Sequence, residues 1–187
     1  MQRSRINYLN TSFILGAHLV AVFAIVYLSA IHFSWWTLGL ALVWMGLCGL
    51  AITGGYHRLF AHPTYKAAFP VRLFYLLFGA ASVQNSALKW SADHRDHHAE
   101  TDQDDDPYNA KRGFWWSHIG WVLYDETSKS KGMDRVGDLE RDPLIRFQHR
   151  YYLLLALVFG VSIPFGIGFA WGDPIGALLC ADRKSVV

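Results

Sequence analysis

Long charge-free stretches flank a single polar block in this chain. Between Arg5 and Arg58 there is no Asp, Glu, Lys or Arg. A membrane-crossing helix needs about 20 apolar residues, so this interval predicts two spans joined by a short turn. They fall near 12–31 (SFILGAHLVAVFAIVYLSAI) and 35–54 (WWTLGLALVWMGLCGLAITG). A third charge-free run, Tyr151 to Gly172, predicts a third span at about 151–172. Pro164 and several glycines make that span irregular. The run 73–88 (LFYLLFGAASVQNSAL) is short for a crossing and ends in Gln84, Asn85 and Ser86. It predicts a helix, about 69–88, that lies along or dips into the membrane interface. Residues 89–150 are charged and polar, and read as a helical cap outside the bilayer.

Flanking charges orient the chain. Arg3 and Arg5 precede the first span, Arg58 and Lys66 follow the second, and the turn between them carries no Lys or Arg. The excess of basic residues on the cytoplasmic side then puts both outer ends, and the cap, in the cytoplasm. The apolar region argues against a cleaved signal peptide, because it is too long and runs into a second span.

Composition agrees with this placement. Of the 187 residues, 52% are hydrophobic, 16% aromatic and only 17% charged. Aromatic side chains at that density suit membrane–water interfaces. A net charge of +2 without any basic run argues against a nucleic-acid partner. Cys48 and Cys180 form neither a disulfide framework nor a zinc-type spacing. The expected fold is an all-α integral membrane protein, one domain over 1–187, with the lipid bilayer as its main partner.

Five of the nine histidines form two clusters around the interfacial run. "HRLFAH" contributes His57 and His62 directly after the second span, and "HRDHH" contributes His94, His97 and His98. Positions i, i+3 and i+4 share one helix face, so the second trio projects together. His57 and His62, five apart, fit one face of a regular helix poorly. Pro63 ends the helix there and lets His62 turn inward. Convergent neutral imidazoles make a metal site suited to iron, copper, zinc or nickel. A lone histidine is more often merely solvated, and His18, His32, His118 and His149 are read that way, with His118 also a candidate hydrogen-bond partner of a ligand.

At these residues the chain resembles a known family. "GYHRLFAHPTYKA", "HRDHH" and "DPYNAKRGFWWSHIGWVL" are similar to the membrane fatty-acid desaturases of the acyl-CoA, stearoyl (delta-9-like) type. The resemblance runs from about Gly54 to Gly172, with Asp138-Leu139 and "FQHRYY" at 147–152 also fitting. It implies an O2-dependent enzyme on four transmembrane helices, its cytoplasmic cap carrying a histidine-box di-iron site. Such enzymes insert a cis double bond into a saturated acyl chain with two electrons from a donor such as cytochrome b5, ferredoxin or a similar reductase system. By resemblance, His57, His62, His94, His97 and His98 match iron ligands, Gln84 and Trp90 line a bent acyl tunnel, and Asp93 lies near the substrate head group. The chemistry explains the need for a metal cofactor. An unactivated methylene has neither an acidic proton nor a leaving group, so acid–base catalysis alone cannot desaturate it.

Two departures from the family pattern alter the expectations. Animal members carry basic residues, contacting CoA phosphates, where this chain has Ala92, Asp125 and Glu126. Acidic side chains there would repel CoA, so acyl-carrier protein or a phospholipid stand beside CoA as carriers. The family also continues past "WGDPIGALL" with a fourth span and four more histidines. This chain instead reads "ADRKSVV". "DRKSVV" is what the short-read adapter GATCGGAAGAGCGTCGTG encodes, so 181–187 is read as a non-native tail and the gene as running on. The 187-residue product alone is accordingly expected to be unstable, poor in iron and inactive. Other classes fit less well: a sibling all-histidine di-iron hydroxylase of alkanes, sterols or carotenoids, or a non-enzymatic metal-binding membrane protein. The absence of HExxH argues against a zinc protease.

Overall fold

Hydrocarbon offers no water to backbone groups, so an apolar run must pair its N–H and C=O groups internally, as a helix does. The computed structural model describes residues 5–103, 106, 109–125 and 133–181. Three of its helices are long and apolar enough to cross a membrane: Tyr8–Ile31, Trp35–Ala61 and Tyr152–Trp171. Glu126 and 182–187, on which two expectations from the sequence rest, lie outside the described residues, as does the side chain of Asp125.

The first span starts at Tyr8 rather than near Ser12, because the Asn7 side chain accepts the Asn10 N–H at 2.9 Å and caps the helix there. Ser34 caps the second span by accepting the Thr37 N–H. That span runs on to Ala61 instead of stopping near Gly54, its last part, Ala51–Ala61, being wound as a π-helix. The third span is irregular. A π turn at Val158–Ser162 precedes Pro164, whose ring and missing N–H disturb regular α winding, and a 3₁₀ turn at Phe169–Trp171 closes it.

The single interfacial helix expected over 69–88 is two helices. The first, the linking helix Phe69–Ala81, is followed by a turn at 82–86, and the second, the box helix Ala87–Ala99, begins behind Ser86. The polar residues that shortened the run in sequence are what breaks it. Asn85 takes φ 86°, as asparagine tolerates, and the Ser86 side chain accepts the Lys89 N–H as an N-cap. With 13 residues the linking helix is about 20 Å long, too short for the ~30 Å hydrocarbon layer. It packs between the π-helical end of the second span and the third span. Gly79 permits this, since a Cβ there would lie 2.3 Å from the Tyr56 ring.

A short terminal helix, Pro174–Ala181, folds back on all three spans. Asp173 precedes it and is the polar hub of that end of the bundle. Its carboxylate accepts from Tyr27 Oη at 2.8 Å, Thr37 Oγ1 at 2.5 Å and the Gly176 N–H at 2.9 Å. One anchor comes from the end of the first span, one from the start of the second and one from the terminal helix. Thr37 stands about 20 residues, hence ~30 Å, from His57 along the second span. Asp173 and the histidines therefore mark opposite ends of the bundle. Between them the outward side chains are predominantly apolar, as at Leu19 and Leu153 (71% and 79% exposed), and the polar exceptions His18, Thr53 and Ser162 bond carbonyls of their own helices. A surface of that kind belongs against lipid.

One feature departs from the all-α expectation. Arg5–Ile6 pairs antiparallel with Tyr124–Asp125, and Asn10 donates to Val122 O at 3.1 Å. The start of the first span is thereby tied to the polar block after the box helix.

Topology can be measured by labelling single cysteines in a background lacking Cys48 and Cys180. Cysteines at Phe69 and Lys111 are expected to label from one membrane face, and one at Trp35 from the other. Labelling of Phe69 and Lys111 from opposite faces would make the linking helix a crossing.

Candidate metal centre

Residues five apart are rotated by about 140° on an α-helix. In π winding, where each N–H bonds the fifth carbonyl back, they fall on one face, as residues four apart do on an α-helix. Ala51–Ala61 is wound this way, and the His62 N–H bonds His57 O at 3.0 Å. The interval that looked awkward in the sequence is thus the natural spacing for one face. Pro63 ends the helix after Ala61, and His62 forms its C-cap, as expected.

The second cluster projects from the last turns of the box helix. Trp90, one turn earlier, stacks on the His94 ring at 4.8 Å and 21°, and meets His57 and Tyr56 edge-on. Trp90 is therefore a wall of the site.

His57, His62, His94 and His98 converge, each offering a ring nitrogen, all within 4.8 Å of one another. His94 Nε2 lies 3.0 Å from His62 Nε2 and 3.1 Å from His98 Nε2. A neutral imidazole nitrogen carries one proton or one lone pair, so His94 Nε2 cannot form a full hydrogen bond to both neighbours. A cation can bind all three. Ligand nitrogens about 2.0–2.1 Å from a metal lie roughly 3 Å apart at right angles, the spacing seen here. The donor set fits a metal ion. His97 stands apart from the four, and its Nδ1 is 2.8 Å from Asp106 Oδ1.

Arg95, between the box histidines, joins the two clusters. Its Nε and Nη2 donate to Ala61 O and Phe60 O, both at 2.9 Å, two carbonyls at the end of the π-helix. A helix C-terminus leaves such carbonyls without intrahelical partners and carries partial negative charge. Nη1 donates to Arg135 O at 2.7 Å, while Nη1 and Nη2 grip the two Asp138 oxygens at 2.7 and 2.9 Å. All five guanidinium N–H groups are used. Arg95 in turn holds the Asp138 carboxyl below the usual carboxylate range.

A second strap lies beneath. Gln148, on the helix Pro143–Arg150, is 1% exposed; its Oε1 accepts the Ala87 N–H at 3.1 Å, and its Nε2 donates to Tyr56 Oη at 2.7 Å. It fastens the start of the box helix to the residue before His57. Around it Ile52, Tyr56, Leu76, Leu88 and Ile145 form the apolar core under the histidines.

Burial, and then its histidine neighbours, push the His94 pKa down from 6.5 to about 3. His62 is lowered by burial first and then by His57, His98 and Arg95. Both shifts favour the neutral imidazole, the form in which histidine binds metal.

The remaining expected residues are placed as follows. Asp93 is ion-paired to Lys89 at 2.6 Å, and burial raises its pKa. Gln84 lies half-buried in the turn before the box helix. His18 bonds its own helix at Ile14 O, His118 stacks on Phe114, and His149 bonds Ser86 Oγ at 2.7 Å. Arg95, Asp106, Gln148 and Asp173 did not emerge from the sequence as functional. All four lay within the quoted stretches, but nothing local marked what they bind.

The chain was compared with known proteins. A family profile described as fatty acid desaturase matches residues 33–181. The chain is 48% identical over 134 residues to acyl-CoA desaturase 1 of Saccharomyces cerevisiae, covering 71% of this chain and 26% of the yeast protein. It is 38% identical over 176 residues to the acyl-CoA Delta-9 desaturase of Acheta domesticus, covering 91% and 48%. To the sn-1 stearoyl-lipid 9-desaturase of Anabaena variabilis it is 34% identical over 174 residues, covering 91% and 63%. The chain thus spans less than two thirds of each of these relatives.

Two outcomes are expected. Arg95→Lys keeps the charge but loses the fork, and should lower stability by about 1–3 kcal/mol. Thermal unfolding and Co(II) titration would read this, with metal affinity falling along with stability. Acid should also destabilise the metal-free protein between about pH 6.5 and 3. Over that window the unfolded chain protonates His94 and the folded chain does not, so stability rises with pH. Unfolding followed across this range should show a flatter dependence in His94→Asn.

Proposed function

This chain belongs to the fatty acid desaturase family, and from that premise we propose that the protein inserts a cis double bond into a saturated fatty-acyl chain. In this reading it consumes O2 and two electrons at two iron ions held by imidazoles. The observation that carries the proposal is the convergence of His57, His62, His94 and His98 at one end of a bundle with three potential membrane spans. His97 is proposed as the fifth ligand. When bound, iron supplies the oxidising power that removal of hydrogen from an unactivated methylene requires.

The protein's own groups hold and orient. Trp90 closes one side of the centre against His94 and His57, and the apolar core beneath excludes water. We assign Trp90 and Gln84 to the acyl path, and Asp93, with its partner Lys89, to the head-group end. The relatives' names put the acyl chain on CoA or on a lipid. Ala92, Asp125 and Glu126 add no positive charge for CoA phosphates, which favours a lipid or acyl-carrier protein. The basic flanks of the spans support a cytoplasmic centre, within reach of a cytochrome b5- or ferredoxin-type donor.

The test is expression of the full-length gene in cells unable to make unsaturated fatty acids, followed by mass spectrometry of the lipids. New C=C bonds are expected, lost in His62→Ala and His94→Ala and largely retained in His18→Ala. A new hydroxyl in place of the double bond would reassign the protein to a hydroxylase.

A further inference from the structure

His97 sits on the box helix one turn after His94, yet outside the group of four converging nitrogens. Its ring centroid is 5.4 Å from that of His98 and 6.3 Å from that of His94. Its Nδ1 meets Asp106 Oδ1 at 2.8 Å. Asp106 is fully buried, and burying a carboxylate is costly unless its oxygens are paired. Both oxygens are engaged, Oδ2 accepting the Asp102 N–H at 2.9 Å. The described residues on either side of Asp106 are themselves held by hydrogen bonds. Asp102 takes φ 59°, a conformation Asp tolerates, and its own Oδ1 accepts the Ala110 N–H. Asn109 Nδ2 donates to Gln103 O at 2.6 Å and closes the turn around Asp106.

We propose that Asp106 is a positioning residue that fixes the tautomer of His97 and makes it a metal ligand through Nε2. An ionised carboxylate has only lone pairs to offer, so the proton of the neutral ring must lie on Nδ1. The ring lone pair is then on Nε2, the nitrogen that does not face Asp106, with the ring itself 5.4 Å, centroid to centroid, from that of His98. Asp106 thereby adds a fifth donor whose orientation is set by a loop outside both histidine clusters. Carboxylates behind ligating imidazoles orient the ring and raise its basicity. This inference rests on reading the histidines as a metal centre, and it adds how His97 is directed there.

Two measurements on the full-length protein in lipid nanodiscs test it. In metal-free protein labelled with 15N-histidine, the His97 signal, assigned by its loss in His97→Gln, should report a protonated Nδ1 and a bare Nε2. The opposite tautomer, as a protonated Asp106 donating to Nδ1 would impose, overturns the proposal. In Co(II) titrations read by visible absorption, Asp106→Asn should weaken binding about 10–100-fold. In a His97→Ala background it should cause no further loss. Wild-type affinity in Asp106→Asn, or a loss that adds to that of His97→Ala, would make Asp106 a purely structural loop residue. If Asp106→Asn does not fold, Asp106→Glu takes its place, and the tautomer of the wild type still decides. A wild-type chain that binds no Co(II) contradicts the metal centre itself, while the tautomer remains a separate result.

Discussion

The site depends on what happens where the second span ends. A helix terminating at the base of a histidine cluster leaves carbonyl oxygens that need donors. Arg95 supplies them from within the second histidine cluster, and with the rest of its fork it grips Asp138 and Arg135 O. One planar cation thus neutralises a helix end and ties three chain segments together. It also holds His62 and His94, 32 residues apart in sequence, with their nitrogens 3.0 Å apart. A lysine could match the charge, but it lacks the five donors in a fixed plane.

Around that clamp, the register of the second span is set by its winding. The π turn brings His57 and His62 to one face, and Tyr56 faces the box helix beside them. Gln148 then fastens Tyr56 to the N-terminus of that helix. Packed side chains of this kind shift in discrete steps rather than continuously. The ring nitrogens are therefore positioned by contacts well below them, in an apolar core that also favours the neutral, metal-binding form of His94 and His62.

The bilayer imposes the second constraint. Polar side chains are costly along its thickness, and here the polar groups that link different elements gather at the two ends. Asp173 links the spans at one end through Tyr27 and Thr37, and the histidines occupy the other. For oxidation of an acyl chain this arrangement is apt, since a lipid-soluble substrate and a water-borne electron donor would meet at such a boundary.

The sequence by itself determined the charge-free spans, the too-short linking run, the helical spacing of His94, His97 and His98, and the motifs that the family shares. Each is a local property, read from hydropathy over about 20 residues or from offsets of three and four. It did not determine the π winding, because five-residue spacing conflicts with the α-helical period and only packing against the linking and box helices selects the rarer form. It did not show that residues 69–88 break at 82–86, where the cap at Ser86 and the buried contacts of Ala87 outweigh a continuous apolar pattern. The roles of Arg95, Asp106, Gln148 and Asp173 were also decided by tertiary structure alone. Each is a polar residue whose meaning is the partner it meets. Those partners lie on other elements, up to 146 residues away for Tyr27 and Asp173. Hydrogen bonding in a buried site is specified by convergence in space, which no periodicity along the chain encodes.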